Sequence, residues 1–211
     1  MLRRATWLVF AVLGLLLAAL QRTEAQSIFE FSASQSKLEM DVYKEGFFKA
    51  FGHDHLVGAR EFSGRVVVDE TRMEKSSVML RVSAKSLTVM DPDASPKDRK
   101  EIQDTMQGET VLDAAKFPEI VFTSTGVGGI GGKAGAWRLT VEGTLKLHGT
   151  ERKISFPLKL SLNGGQLAAE GELRLRQTDF GITPIKVGGG SVKVKDELRI
   201  RFEVRAGMSK P

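Results

Sequence analysis

Four stretches of the chain alternate apolar and polar residues one by one. In the clearest, Ile154, Phe156, Leu158, Leu160 and Leu162 are separated by Ser155, Pro157, Lys159 and Ser161. The same beat runs through Leu139, Val141, Gly143, Leu145 and Leu147, and through Leu167, Ala169, Gly171, Leu173 and Leu175. It returns in Val192, Val194, Asp196, Leu198, Ile200, Phe202 and Val204. A period of two puts one face of each strand in an apolar space and the other in water. Residues 27–33, 36–43, 62–68, 77–87 and 117–125 continue the strand pattern, with Ser34 and Gln35 expected to turn the chain between the first two. The apolar register also holds Gly143, Ala169 and Gly171. Small residues there predict a sheet curled around a cavity, so Gly143→Phe or Ala169→Phe is expected to fill it without unfolding the chain.

The interruptions set the connections. Asn163-Gly164-Gly165 between two alternating runs predicts a tight hairpin. Residues 126–135 are glycine-rich; with a strand after them instead of a helix, a flexible hairpin tip is expected and a phosphate loop is not. Gly188, Gly189 and Gly190 predict a turn. Residues 91–115 break the alternation. Ser95 as N-cap, Pro96 at the first helical position and Gly108 as terminator predict a helix over residues 97–107. Its apolar stripe is narrow, Ile102 and Met106 alone, and a second helical turn is expected over residues 111–116. This segment is either a lid on one barrel end or a surface crossover. Asp196 falls in the apolar register, which implies a polar group in the lumen or, preferably, a bulge near Lys195.

Eight or nine strands joined mainly by hairpins predict an all-β fold: an extended antiparallel eight-stranded, lipocalin-like barrel with a short helical crossover. Closure removes the exposed edges, and a barrel of eight strands holds one small ligand. The inward register names the candidate lining: Leu38, Met40, Val42, Val66, Val68, Leu80, Val82, Phe122, Leu145, Leu147, Phe156, Leu158, Leu173 and Leu198. Phe47 and Phe48, with Phe51, are candidates to guard an entrance.

The first residues read as a cleavable export signal. Arg3 and Arg4 precede an uncharged, mostly apolar run of 16 residues from Ala5 to Leu20, and Thr23-Glu24-Ala25 offers a cleavage site after Ala25. That run is short of the ~20 residues a membrane span needs. The expected division is residues 1–25 as signal and 26–211 as one barrel domain, placed in the periplasm. The chain has no cysteine, so disulfides, thiolate chemistry and a cysteine-linked lipid anchor are excluded. Of the net charge of +5, the leader carries +2 through Arg3, Arg4 and Arg22 against Glu24. The remaining charges of both signs are scattered on outward positions, which argues against nucleic acid as a partner and allows transient contact with an anionic membrane surface. A monomer or a homodimer is expected.

Little in the chain suggests catalysis. No G-x-S-x-G elbow is present, and no catalytic residue is assigned. His53-Asp54-His55 is the one local constellation with chemical potential: in an extended segment both histidines face the same side and could share a metal ion, with His148 or a carboxylate as third ligand. The other roles open to it are hydrogen bonds that fix a polar turn, or contact with a ligand head group at the barrel mouth. His148 is expected to bond a loop carbonyl, and Arg176 to pair with Asp179.

Four segments, in order, carry a family resemblance. They are His55-Leu56-Val57-Gly58 followed by Phe62-Ser63-Gly64, then residues 116–124 (KFPEIVFTS), residues 141–150 (VEGTLKLHGT) and residues 176–182 (RQTDFGI). Together they resemble the YceI-like proteins, periplasmic lipid-binding barrels. The resemblance implies an extended barrel that holds a long isoprenoid or other alkyl chain, with no catalytic residues and no cofactor beyond the bound lipid. The chain departs from the pattern at Glu151-Arg152, which precede Lys153, and at His53, a second histidine before His55. A carrier or sequestering protein for an isoprenoid, quinone or fatty acyl chain is therefore expected. The alternatives are a metal-binding or redox-linked accessory protein using His53 and His55, and a solidly packed barrel that serves only as an interaction module.

Overall fold

The structure, a computed structural model, describes residues 26–45, 54–187 and 192–209. The expected signal, Phe47, Phe48, Phe51, His53 and the Gly188–Gly190 turn lie outside these. Twelve strands are described: β1 (Ser27–Ser32), β2 (Lys37–Glu45), β3 (His55–Ala59), β4 (Phe62–Val68), β5 (Ser77–Ser83), β6 (Leu87–Val89), β7 (Glu119–Lys133), β8 (Ala136–Leu147), β9 (Thr150–Asn163), β10 (Gln166–Arg176), β11 (Lys186–Val187) and β12 (Val192–Met208), with one α-helix, α1 (Pro96–Gln107).

All pairings are antiparallel, and the sheet closes into a barrel of eight strand positions. Three of these are kinked strands made of two segments each. β1 and β2 both pair the same long β12, through Phe29↔Met208 and Lys37↔Glu203, so the chain keeps its direction across Ser34 and Gln35 instead of turning back. At that kink the Ser36 hydroxyl accepts from the Arg205 N–H at 3.1 Å and donates to its carbonyl at 3.3 Å, standing in for the missing ladder bonds. β3 with β4 and β5 with β6 repeat the device: β4 follows β1 and β3 follows β2, while β5 follows β4 and β6 follows β3. From there β5, β7, β8, β9, β10 and β12 are joined neighbour to neighbour.

Glycines set the hairpins and the bulges. His148-Gly149 and Gly164-Gly165 occupy two-residue turns with positive φ at both positions (50° and 73°; 55° and 76°), which match the right-handed twist of the flanking strands. The expected flexible tip over residues 126–135 is instead mostly strand: β7 runs to Lys133, and the turn is Ala134-Gly135 alone. Register shifts fall between Ser124/Gly126 and Gly128/Gly131; Gly129, inside the second, has φ 57°, and Gly132, paired with Trp137 just after it, has φ 103°, conformations that other residues rarely adopt.

The helix forms as its end signals predict. The Ser95 hydroxyl accepts from the Asp98 N–H, Pro96 begins the helix, and Gly108 ends it. Residues 111–116 form turns and not a second helical turn, because Asp113 adopts φ 43° and its carbonyl takes the N–H groups of Lys116 and Phe117. α1 lies along the free edge of the short β6. Gln103 acts there as a surrogate strand: its Oε1 accepts from the Val89 N–H at 2.8 Å and its Nε2 donates to the Leu87 carbonyl at 2.7 Å. Gln107 adds a bond to the Lys85 carbonyl. An edge that would otherwise expose unpaired backbone is covered by a helix.

Candidate ligand-binding lumen

The two ends of the barrel differ. At one end Phe29, Val68, Leu167 and Ala206 are no more than 2% exposed. Met73, on the 3-10 turn between β4 and β5, is buried with them in the same cluster, as is Trp137. Toward the other end, inward side chains on the same strands lose this cover. Leu173 and Leu175 of β10, and Leu198 and Ile200 of β12, are only half-buried because they face open space. That space is a cavity of about 610 Å³, walled almost wholly by apolar side chains. The volume lies in the range of small-molecule sites, roughly 300–1,000 Å³. The barrel is therefore not packed solid.

Leu38, Met40, Val42, Val66, Val68, Leu80, Val82, Phe122, Leu145, Leu147, Phe156, Leu158, Leu173 and Leu198 all stand on the cavity wall. Ile102 and Met106 of α1 also border it, with Val111 and Leu112 beyond the helix, so the crossover is part of the wall. Phe180 and Ile182, absent from the sequence-derived lining, fill a second seam. β9 and β10 pair only as far as Leu158↔Gly171, next to Pro157, which has no N–H to give a ladder. Beyond that point the chain following β10 returns and buries Phe180 and Ile182 against Phe122, Val141, Leu145 and Phe156.

The small inward residues do not all make room. A side chain at Gly143 would collide with the Phe122 ring and the Thr123 carbonyl; at Gly171 it would collide with the Phe202 ring, its direct cross-strand partner, and the Pro157 carbonyl. These glycines let aromatic rings lie flat on neighbouring strands, which corrects the expectation that Gly143→Phe would fill the lumen harmlessly. Ala169 does face the cavity.

Most polar residues that border the cavity sit at the open end, among them Tyr43, His55, Asp98, Glu101, Arg176 and Lys193. His55 does not pair with its neighbour Asp54, whose carboxylate accepts from the Lys44 N–H. Its Nδ1 lies 2.6 Å from Oδ2 of Asp91, a residue only 5% exposed. The other oxygen of Asp91 accepts from the Leu56 N–H at 2.7 Å, and Arg99 ties the Asp91 and Ala94 carbonyls to the helix start. Asp91 escaped the sequence reading because 36 residues separate it from His55. Only the β3–β6 pairing brings them together.

His53 is outside the described residues, and among those described no three His, Asp or Glu side chains converge as metal ligands. His148 is engaged elsewhere, its Nδ1 3.2 Å from the Phe180 carbonyl and its ring edge-on to Phe117. The turn after β10 is fixed not by an Arg176–Asp179 pair but by Asp196, whose carboxylate accepts from the Thr178 N–H at 2.9 Å and hydroxyl at 2.7 Å. Burial pushes the Asp196 carboxyl up, but these bonds outweigh it and leave it below its ordinary value. Asp196 reaches that turn because β12 shifts register between Val194 and Leu198, the bulge the pattern predicts.

Fold and cavity define a closed antiparallel barrel with an apolar lumen that, among the described residues, is covered at one end and less so at the other. The YceI-like domain profile matches residues 29–206, and the chain belongs to that family. Over 184 residues it is 26% identical to a UPF0312 protein of Yersinia enterocolitica and to Protein YceI of Salmonella arizonae, covering 82% of this chain and 86% of each relative. Its fold is similar to that of BcnA from Burkholderia cenocepacia (TM-score 0.67, 21% identity, 83% of this chain and 99% of that one). It is also similar to a polyisoprenoid binding domain from Saccharophagus degradans (TM-score 0.60, 12% identity, 88% and 100%).

Proposed function

We propose that this chain is a periplasmic binding protein that holds an isoprenoid, quinone or fatty acyl chain in its lumen and carries or sequesters it, without catalysing a reaction on it. The apolar cavity carries the proposal: a long hydrocarbon is the ligand whose transfer from water such a wall favours. At about 0.8 kcal/mol per buried CH₂, twelve methylenes contribute on the order of 10 kcal/mol before ordering costs. Family membership and the polyisoprenoid binding of the Saccharophagus domain support the ligand class. The leader-like first residues support export. The test is to purify the protein from fractionated cells and extract it under denaturing conditions for mass spectrometry. A periplasmic protein that releases a stoichiometric, organic-soluble species supports the proposal. A protein that stays in the cytosolic fraction contradicts the compartment, and one that neither releases lipid nor takes any up contradicts the function.

A further inference from the structure

His55 reaches the lumen wall by register. It pairs with Val42 across β2, and both it and Val57, two residues on, line the cavity. Its Nδ1 faces the buried Asp91, which has one carboxylate oxygen for His55 and the other for the Leu56 N–H. A carboxylate only accepts, so Nδ1 carries the proton and the Nε2 of the neutral ring is a bare acceptor. Nε2 has no partner among the described residues. Charges of both signs border the cavity: Asp98 and Glu101 from α1, the helix that Arg99 ties to Asp91, and Lys37, Lys44, Arg176 and Lys193, the last paired with Glu45 at 2.7 Å. At His55 itself a bare acceptor offers an anion no donor, whereas it takes an O–H.

We propose that His55, held in one tautomer by Asp91, is the head-group acceptor of the lumen, and that it selects long-chain alcohols by accepting their terminal O–H at Nε2. This rests on the lumen being a lipid site, and it names the class of lipid. An alcohol satisfies the imidazole, whereas an ether or a quinone, which only accept, leaves it unpaired.

Asp91→Asn gives a sharp test. Leu56 N–H still needs an acceptor, so the amide oxygen stays there and the NH₂ group turns to His55. Nδ1 must then accept, the proton moves to Nε2, and the head-group site changes from acceptor to donor. The probes are geranylgeraniol and its methyl ether, titrated into delipidated full-length mature protein, with melting curves to confirm that each variant is folded. The parent should bind the alcohol roughly fivefold more tightly than the ether, as expected of one net hydrogen bond. Asp91→Asn should abolish that preference by gaining affinity for the ether. His55→Leu should abolish it without that gain, while still binding both chains. Equal binding of the two probes by the parent, or a preference that survives His55→Leu, overturns the head-group assignment and leaves the lipid site intact. Failure of the folded parent to bind either probe overturns both.

Discussion

The packed end and the open end of this barrel are built from the same strands, yet they use their inward residues differently. On β10, Leu167 is 2% exposed while Leu173 and Leu175, on the same face, are half-buried. On β12, Ala206 is 1% exposed and Ile200 half-buried. Alternation is identical at both ends, so strand pattern alone does not decide whether an inward side chain packs or lines a space. What decides it is the cover. Met73 and Phe29 close one end; toward the other, among the described residues, the cluster around Phe180 and Ile182 covers one side of the lumen and leaves Leu173, Leu175, Leu198 and Ile200 half-buried. The open end invests instead in polar fixtures, Asp91 behind His55 and Asp196 behind Thr178.

The largest effect that would sharpen this contrast comes from Gly143→Phe. Its Cβ has no free space, so the expected outcome is failure to fold, seen as loss of the cooperative melt. A folded variant would show that the glycine is not needed by the Phe122 ring. Next are the truncations. Phe29→Ala should cost about 4 kcal/mol in urea unfolding, as a buried aromatic does, and Leu198→Ala about 1 kcal/mol because it already faces a void. Equal costs would erase the distinction between the ends. Gln103→Leu should lower stability by about 2 kcal/mol, since it strips partners from the Val89 N–H and the Leu87 carbonyl. Hydrogen exchange should show the Val89 amide losing protection first; an unchanged Val89 amide would contradict the edge-capping role.

The smallest effect is a pH dependence at the packed end. The Thr71 hydroxyl, together with the N–H groups of Arg72 and Thr71, holds the Asp69 carboxyl below its ordinary value of 3.8 against the opposing effect of burial. A carboxyl depressed in the folded state stabilises the fold above its unfolded value, and that contribution is lost as pH falls through the folded one. The Tm gap between the parent and Asp69→Asn should therefore be constant above pH ~4 and close in stronger acid. A gap independent of pH would show that Asp69 acts only through its shape.

Much of this architecture was legible because its signals are local. Alternation located the strands, Ser95 with Pro96 located the helix, and Gly164-Gly165 set a hairpin. The misread parts depend on partners distant in sequence. Ser34 and Gln35 look like a turn, but pairing of β1 and β2 with one long β12 straightens the path. The glycines of β7 look like a loop until β8 is beside them. Gly143 looks like empty space until the Phe122 ring covers it. At the site, the lining positions follow from parity, whereas Asp91 and the Phe180–Ile182 plug depend on which strands meet and which part.

The claim that the lumen holds the lipid is tested most directly by loading neighbouring variants on β10. Ala169 faces the cavity; Ala168 faces the outer surface. The parent, Ala168→Phe and Ala169→Phe would be delipidated, incubated with geranylgeraniol and weighed by native mass spectrometry, with melting curves confirming that each is folded. The account predicts equal loading of the parent and Ala168→Phe, and loss of the bound species in Ala169→Phe. Undiminished loading of a folded Ala169→Phe would contradict it and place the lipid outside the barrel.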